Sequence, residues 1–92
     1  MIHLRRLRWD DRNMAHIARH GVTAEEAEEV CHGDFFLLQG KKRRIMLIGP
    51  TSTGRILALV LEHEGEGDYY PVTARPASRK ERRWYREQQE EV

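Results

Sequence analysis

Two arginines stand at the ends of strand-like segments, where their guanidinium groups could bind a phosphate. Arg55 precedes an unbroken apolar run at residues 56–61, and Arg75 follows the stretch 69–74. In a hairpin that turns around residues 64–67, paired positions are equally far from the turn, so Arg55 lies opposite Arg75. Two facing cations repel each other unless an anion lies between them. The spacing therefore predicts a paired grip on one phosphate, and the alternative is that each arginine pairs with a neighbouring carboxylate.

Further cations occupy the start of the last predicted helix. Ser78 and Glu81 have the spacing of a capping box. Arg79 and Lys80 therefore lie in the first helical turn, where cations oppose the helix dipole. An incoming phosphate, in contrast, is favoured there by both the charges and the free N–H groups. We predict a phosphate-binding surface at this terminus, continued by Arg83, and the alternative is a solvated basic helix.

Histidines and one tyrosine are the candidates for proton transfer. His16, His20 and His63 carry imidazoles, which titrate near neutrality and can act as general acids or bases. The commoner role of a histidine is helix packing or surface exposure, and it stays open for all three. Tyr85 could stack on a base or donate its proton, whereas Trp84 is expected to anchor the last helix on the sheet.

Metal and cofactor sites are not expected from this sequence. His16 and His20 are spaced to share a metal ion, but neither Cys31 nor His32 is placed to complete the ligand set. The stretch 49–54 has the look of a phosphate loop, yet the Lys-Ser/Thr pair and helix that should follow are missing, which favours a hairpin turn. Any catalysis by this chain is therefore predicted to use side chains alone.

Charge alternates in blocks along the chain, although the net charge is only +1. Residues 40–55 carry five basic side chains and no acid, whereas the charged residues of 56–68 are all acidic. Basic blocks suggest a polyanionic partner and acidic blocks a basic protein, with solubility as the alternative for each. Lys41, in the basic turn, is added to the predicted phosphate-binding residues.

Length and composition predict one α+β domain over residues 1–92. Ninety-two residues suit a single domain, and 39% hydrophobic with 34% charged residues suit a globular protein. The lone cysteine, Cys31, cannot form an internal disulfide, so we expect the reducing cytoplasm. No apolar run is long enough to span a bilayer, so no membrane association is expected.

Apolar periodicity predicts the element order β-α-α-β-β-β-β-α, with the helices outside a small antiparallel meander. The strands are predicted at 2–8, 35–38, 45–48, 56–61 and 69–74, with Pro71 at an edge or a bulge. The first helix is capped by Asp10 or Asp11 and runs to about residue 20, and its predicted core residues are Met14, Ile17 and Ala18. The second helix is capped by Thr23, which has the capping-box spacing to Glu26, and ends at Gly33. It turns its four glutamates to water and buries Ala24, Ala27, Val30 and Cys31. The third opens after Ser78.

Short motifs are distributed over most of the chain in a specific order. They are Trp9-Asp10, Asn13, His20-Gly21-Val22-Thr23, Glu25-Glu26-Ala27, Gly54-Arg55-Ile56-Leu57, Thr73-Ala74-Arg75 and Lys80-Glu81-Arg82-Arg83 followed by Tyr85. Together they resemble the BrnT family of type II toxin–antitoxin ribonucleases, which belongs to the wider RelE-like toxins. No single motif is diagnostic, but their order and spacing make the likeness specific.

The resemblance implies a RelE-like fold, metal-independent cleavage of RNA and neutralisation by a cognate antitoxin. In this family the antitoxin is usually a small ribbon-helix-helix protein (BrnA-like) that represses the shared operon, so operator DNA is contacted only through it. Arg55 and Arg75 fall on the two arginine positions of the family. Many members carry an acidic residue before the Ile45 strand, where this chain has Lys42-Arg43-Arg44. A carboxylate base is therefore not expected there.

The reaction predicted from this resemblance is attack of a ribose 2′-hydroxyl on the adjacent phosphorus, which leaves a 2′,3′-cyclic phosphate and a 5′-hydroxyl. Arg55 and Arg75 stabilise the transition state in this hypothesis. Lys80 holds the phosphate, and His20 or Tyr85 moves the proton. Two other classes stay open: a non-catalytic basic module that binds an antitoxin or nucleic acid, and a regulatory DNA-binding subunit. Loss of toxicity in Arg55→Ala or Arg75→Ala would favour the enzyme.

Overall fold

The computed structural model describes residues 3–91 and has the predicted order of elements. The α+β class is confirmed, with two early helices and one C-terminal helix. The elements are β1 (Arg6–Leu7), α1 (Asp11–Ala18), α2 (Ala24–Cys31), β2 (Phe36–Gln39), β3 (Arg44–Pro50), β4 (Ile56–Gly65), β5 (Asp68–Pro76) and α3 (Arg79–Glu90).

The strands within residues 3–91 form one sheet in the order β1-β5-β4-β3-β2. Strands β2 to β5 are antiparallel neighbours, which confirms the predicted meander. The hairpin turn predicted in the stretch 49–54 joins β3 to β4 at residues 51–55, whereas Gly49 and Pro50 still pair with β4. β1 departs from the prediction because it runs parallel to β5 and has only two residues. The chain leaves the sheet after Leu7 to begin α1, which ends the pairing. Of the predicted strand 2–8, Ile2 lies outside the described residues.

Each face of the sheet carries its own apolar cluster, because side chains alternate between the two faces along a strand. Leu47, Leu57 and Leu59 are fully buried on the face that packs under α1 and α2. Ile48 and Ala58 are buried on the opposite face, which packs under α3. We call these the α1/α2 face and the α3 face. Burial of each leucine stabilises the fold by roughly 1.5–3 kcal/mol.

α1 packs through a polar residue, Asn13, that was not among its predicted core residues. Asp10 caps the helix, and its side chain and that of Asn13 bond to each other's backbone N–H at 2.8 and 2.9 Å. Asn13 is buried at 2% exposure, and so is Ile17 at 1%. The prediction that Met14 and Ala18 join the core is wrong, since both are exposed. The capping box turns Asn13 inward, and the residue four positions later follows it.

The stripe predicted for α2 is largely confirmed. Ala27, Val30 and Cys31 are buried, whereas Ala24 is half-buried. Burial in apolar surroundings raises the pKa of the Cys31 thiol to about 12, which keeps it protonated and unreactive. Thr23 caps the helix as predicted, and its hydroxyl accepts the Glu26 N–H at 3.1 Å.

The register of β4 against β5 differs from the prediction. The hairpin turns at Glu66 and Gly67, whose φ angles of 52° and 87° define a tight two-residue turn. Arg75 consequently pairs with Ala58, three positions from Arg55. An odd offset also moves a side chain to the other face of the sheet. The prediction that Arg55 lies opposite Arg75 is therefore wrong.

The bulge predicted for β5 is confirmed. Thr73 pairs with Val60 and Pro71 pairs with Leu61, so Val72 is the extra residue between them. Proline suits a bulge because its nitrogen carries no hydrogen, so the irregular pairing there costs it no hydrogen bond of the ladder. The strand that carries this bulge packs against α1.

α3 packs on the sheet through Tyr85 and not through Trp84 as predicted. Tyr85 is 3% exposed and stacks edge-on against Phe36, with ring centres 5.3 Å apart. Trp84 is half-buried at the margin of the same cluster. Adjacent residues of a helix point about 100° apart, so only one of the two can face the sheet.

Within residues 3–91, no helix is long and apolar enough to cross a membrane.

Candidate functional site

Arg55 lies immediately before β4 and is held by a hydrogen-bonded turn. The buried Thr51 accepts its backbone N–H at 3.1 Å, and the Thr51 N–H donates back to the Arg55 carbonyl at 2.8 Å. Nη1 of the guanidinium donates to the Gly21 carbonyl at 2.9 Å and to both Glu26 oxygens at 3.0 and 3.2 Å. No described residue accepts from Nε or Nη2, and the side chain is 35% exposed. One edge of the guanidinium is therefore available to an anion.

Gly21 brings the backbone close to that available edge. Its φ of +72° lies in the left-handed region, which glycine adopts without steric cost. A side chain at this position would place Cβ 3.7 Å from Nη2 of Arg55. The glycine thus ends the turn after α1 and keeps the space beside Arg55 open.

Arg75 points to the α3 face, because its partner Ala58 belongs to the apolar cluster there. Its Nη1 and Nη2 donate to the two carboxylate oxygens of Glu81 at 2.7 and 2.9 Å. Such a bidentate pair fixes the guanidinium plane. Glu81 also accepts the Ser78 N–H, at 2.8 Å. The bonds from Arg75, followed by those from Ser78, lower the pKa of Glu81 to about 2.

Arg55 and Arg75 are held in the same way, each by a glutamate that also caps a helix, and this arrangement was not predicted from the sequence. Glu26 and Glu81 are both the third residue of a helix, where each accepts the N–H of its own capping residue. Each glutamate also binds an arginine, Arg55 in the first case and Arg75 in the second. The capping-box spacing was visible in the sequence, but the long-range partner was not. The alternative left open for the arginines, a carboxylate for each one, is the arrangement that the structure has.

The predicted paired grip on one phosphate is therefore not formed. Three positions along β4 separate Arg55 from the partner of Arg75, which is about 10 Å at the rise of a strand. The side chains also lie on opposite faces of the sheet. Each arginine keeps unused N–H donors, so each can bind its own phosphate.

Two of the histidines, His16 and His20, contact each other at the end of α1. His20 is exposed and directly precedes Gly21, the residue whose carbonyl binds Arg55. Its ring lies edge-on to that of His16, with centres 5.3 Å apart. Nε2 of His16 is 3.1 Å from the hydroxyl oxygen of Thr73. Thr73 lies two residues before Arg75 along β5.

Tyr85 and His63, two other candidates for proton transfer, lie elsewhere. The Tyr85 hydroxyl donates to the Asp34 carbonyl at 2.8 Å, and burial raises its pKa. A ring with 3% exposure cannot stack on a base, so the proposed role of Tyr85 is replaced by a packing role. His63 lies eight residues after Arg55 on β4, about 25 Å away along the strand.

The predicted phosphate-binding cations fall into two groups. Arg79, Lys80 and Arg83 are exposed on the first turns of α3, and none forms an ion pair within the described part of the chain. The Arg75–Glu81 pair places Arg75 beside them. Lys41 is also exposed, but it lies in the turn between β2 and β3, near the far end of β4. It does not belong to the surface at the start of α3.

The acidic block around residues 62–68 is largely neutralised inside the chain. Arg8 donates to both carboxylate oxygens of Glu64 at 2.7 and 2.8 Å, and Arg5 donates to Asp68 at 2.8 Å. Arg44 bonds Glu62 at 3.1 Å. These contacts tie the N-terminal segment to the β4–β5 hairpin, so the surface offered to a basic partner is smaller than the sequence indicates.

Most of the residues that position the site were not predicted from the sequence. The four glutamates of α2 were expected to face water, yet only Glu25 is fully exposed. Glu26 binds Arg55, and Glu28 accepts the Trp9 indole N–H at 2.9 Å. Glu29 accepts the Ser52 N–H at 3.0 Å, which ties α2 to the turn before Arg55.

Among residues 3–91, no group of three or more acidic, histidine or cysteine side chains could hold a metal ion.

A comparison with known protein families matches most of the chain. The family model described as ribonuclease toxin, BrnT, of type II toxin–antitoxin system matches residues 9–81, a segment that contains Arg55, Arg75, His20 and both holding glutamates. No curated protein and no solved structure matched the chain. The match covers most of the sequence, and the chain therefore belongs to the BrnT family of endoribonuclease toxins of type II toxin–antitoxin systems.

Proposed function

We propose that this toxin cleaves RNA without a metal ion, through attack of a ribose 2′-hydroxyl on the adjacent phosphorus at Arg55 and His20. The single observation that supports this placement is the open edge of the Arg55 guanidinium beside Gly21, next to an exposed histidine. A fixed cation and a group able to accept a proton are the two parts that this reaction needs.

The proposed reaction proceeds by one displacement at phosphorus. The 2′-oxygen forms a bond to phosphorus as its proton passes to His20, and the bond from phosphorus to the 5′-oxygen breaks. The 5′-oxygen takes up a proton, so the products are a 2′,3′-cyclic phosphate and a 5′-hydroxyl. His16 positions His20 through their ring contact and is itself oriented by Thr73.

Arg55 provides charge stabilisation that grows during the reaction. The phosphorane-like transition state carries more negative charge than the starting phosphodiester, so its attraction to Arg55 is stronger. Glu26 and Gly21 already hold the guanidinium in place, so little reorganisation is needed when the substrate arrives. The fixed guanidinium supplies the positive charge that a metal ion supplies in other nucleases.

Arg75 and the start of α3 are proposed to hold the neighbouring phosphates of the RNA. Arg75 keeps its Nε donor without a described partner, and Arg79, Lys80 and Arg83 add exposed charge next to it. Each phosphate neutralised by a cation releases bound counterions, which makes binding sensitive to salt. Substitution of one of these residues should therefore weaken RNA binding and reduce its salt dependence.

The decisive experiment uses an RNA oligonucleotide with a single deoxyribose at the cleavage site. The 2′-hydroxyl is the proposed nucleophile, so that substrate should stay intact while the all-ribose strand yields a cyclic phosphate, detected by mass spectrometry. Arg55→Ala should lower the cleavage rate by about 10²–10³-fold, as loss of a transition-state donor does. Arg12→Ala, which removes an exposed arginine elsewhere, is the matched control. Cleavage at the deoxyribose, or loss of activity with EDTA, would overturn the mechanism.

We also propose that the antitoxin is a BrnA-like ribbon-helix-helix protein and that the pair acts in the cytoplasm, where the buried Cys31 stays reduced. The family implies a protein antitoxin, and the sequence resemblance supports this type. In that case the toxin contacts operator DNA only through its partner. A gel-shift assay with the operator tests this: the toxin alone should give no shift, and a shift by the toxin alone would contradict it.

A further inference from the structure

β2 forms an open edge of the sheet with apolar side chains exposed. Leu37 and Leu38 are 36% and 39% exposed, although large apolar residues are usually covered. The Gly40 N–H donates to the Arg44 carbonyl, which fixes the alternation of hydrogen bonds along this strand pair. Phe36 and Leu38 consequently bond inward to β3. The backbone N–H and C=O groups of Leu37 and Gln39 point outward, where no described strand meets them.

Hollows adjoin this strand on both faces of the sheet. On the α1/α2 face, a hollow of about 770 Å³ is lined by apolar residues that include Phe35, Leu37 and Tyr69. On the α3 face, a second hollow of about 340 Å³ is lined by Phe36 and Tyr85. An added strand sends alternate side chains to opposite faces, so it would fill both hollows at once.

The charges around the larger hollow indicate the chemistry of the occupant. Lys42 and Arg43 form part of its wall, and Lys41 precedes them in the same turn. All three are exposed, and none has a carboxylate partner within residues 3–91. Residues 40–55 contain no acid that could neutralise them. An occupant with carboxylates is therefore favoured at this end of β2.

We propose that an extended segment of the antitoxin, with alternating apolar and acidic side chains, adds to the sheet beside β2. Its backbone bonds to Leu37 and Gln39, its apolar side chains enter the two hollows, and its carboxylates meet the turn at Lys41, Lys42 and Arg43. The proposal rests on the protein antitoxin that the family implies, and not on the chemistry at Arg55. Along β4, this surface extends from the register of Leu59, about 13 Å from Arg55, to the turn at residues 41–43, about 25 Å from it, so binding and catalysis can be measured separately.

Amide hydrogen exchange on the ¹⁵N-labelled toxin tests the added strand. On addition of the purified cognate antitoxin, the Leu37 and Gln39 amides should exchange about tenfold more slowly, because they gain hydrogen bonds. The Leu38 amide, already bonded inward, is the internal control and should change little. Antitoxin binding without protection of Leu37 and Gln39 would overturn the proposal. Protection that depends only on toxin concentration, or that appears with an RNA oligonucleotide instead, would overturn it as well.

Substitutions supply an independent test. Leu37→Pro removes an outward N–H without touching the inner ladder, and Arg43→Glu reverses a charge of the turn. Each should weaken antitoxin binding by about tenfold in calorimetry and leave RNA cleavage by the free toxin unchanged. Met14→Ala, at an exposed apolar residue on α1, is the matched control for lost surface area. Unchanged affinity in Arg43→Glu would overturn the proposal even if Leu37→Pro does not fold.

Discussion

Replacing Glu81 by glutamine removes one negative charge from the Arg75 pair and leaves an oxygen that still accepts the Ser78 N–H. The folded-state pKa of Glu81 is about 2, against an ordinary value of 4.5. A difference of this size corresponds to a ceiling of about 3 kcal/mol in the free energy of unfolding. Arg75 is 36% exposed, so solvent screening reduces the expected loss to about 1–2 kcal/mol.

The sign of the pH dependence follows from the lowered pKa of Glu81. A carboxyl with a depressed folded-state pKa stabilises the protein above its unfolded pKa, and the contribution is lost as pH falls through the folded-state value. Glu81→Gln should therefore be less stable than wild type at pH 7. The difference should shrink between pH 4.5 and about 2, where wild-type Glu81 becomes protonated and resembles glutamine.

Urea unfolding at pH 7 and at pH 2–3 measures this difference directly. In thermal unfolding, each kcal/mol corresponds to about 4–8 °C in Tm for a domain of this size. Glu87→Gln, an exposed position of the same helix without a described ion pair, is the matched control and should be close to neutral. An equal loss at both pH values, or none at pH 7, would refute the assignment of the Arg75–Glu81 pair as a stabilising contact.

Three further substitutions separate packing from catalysis. Asn13→Ala should lower the free energy of unfolding by about 2–3 kcal/mol, because the hydrogen bonds of a buried capping box are lost. The control Met14→Ala, at an exposed position, should be nearly neutral when the two variants are compared by chemical unfolding. His20→Gln should slow RNA cleavage by about 10²–10⁴-fold in single-turnover assays, and His32→Gln, at another exposed histidine, should not; equal rates would remove His20 from the mechanism. Tyr85→Phe should cost about 1 kcal/mol of stability through its lost hydroxyl bond and leave the cleavage rate unchanged, and a large rate loss would restore a catalytic role.

Local signals in the sequence predicted the elements well. The Thr23/Glu26 and Ser78/Glu81 spacings predicted the starts of α2 and α3, because a capping box involves residues only three positions apart. Pro71 marked the bulge in β5 for a similarly local reason, since its nitrogen cannot donate to a ladder. Features of this kind do not depend on how distant parts of the chain pack.

The arrangement of the site could not be predicted, because it depends on contacts between distant parts of the chain that local sequence signals do not determine. Gly65, Glu66 and Gly67 offer more than one possible turn, and the one adopted shifts the register by three positions and puts Arg55 and Arg75 on opposite faces. The arginine partners Glu26 and Glu81 were recognised only as caps, because their second role depends on tertiary packing. The choice of Tyr85 over Trp84 as the packing residue likewise depends on how α3 is rotated over the sheet.

Glu26 and Glu81 each bind an arginine and the backbone N–H of a capping residue. Binding of RNA at either arginine should therefore affect how often the first turn of the corresponding helix opens. A phosphate bound at the unused donors of Arg55 or Arg75 competes with the glutamate for the guanidinium charge, and so weakens one of the contacts that orient that carboxylate toward the capping N–H. The opening turn of α2 or α3 should then fray more often, and the amides of that turn should lose protection when RNA is bound. Loss of amide protection at the start of α2 or of α3 should therefore show whether RNA binds at Arg55 or at Arg75.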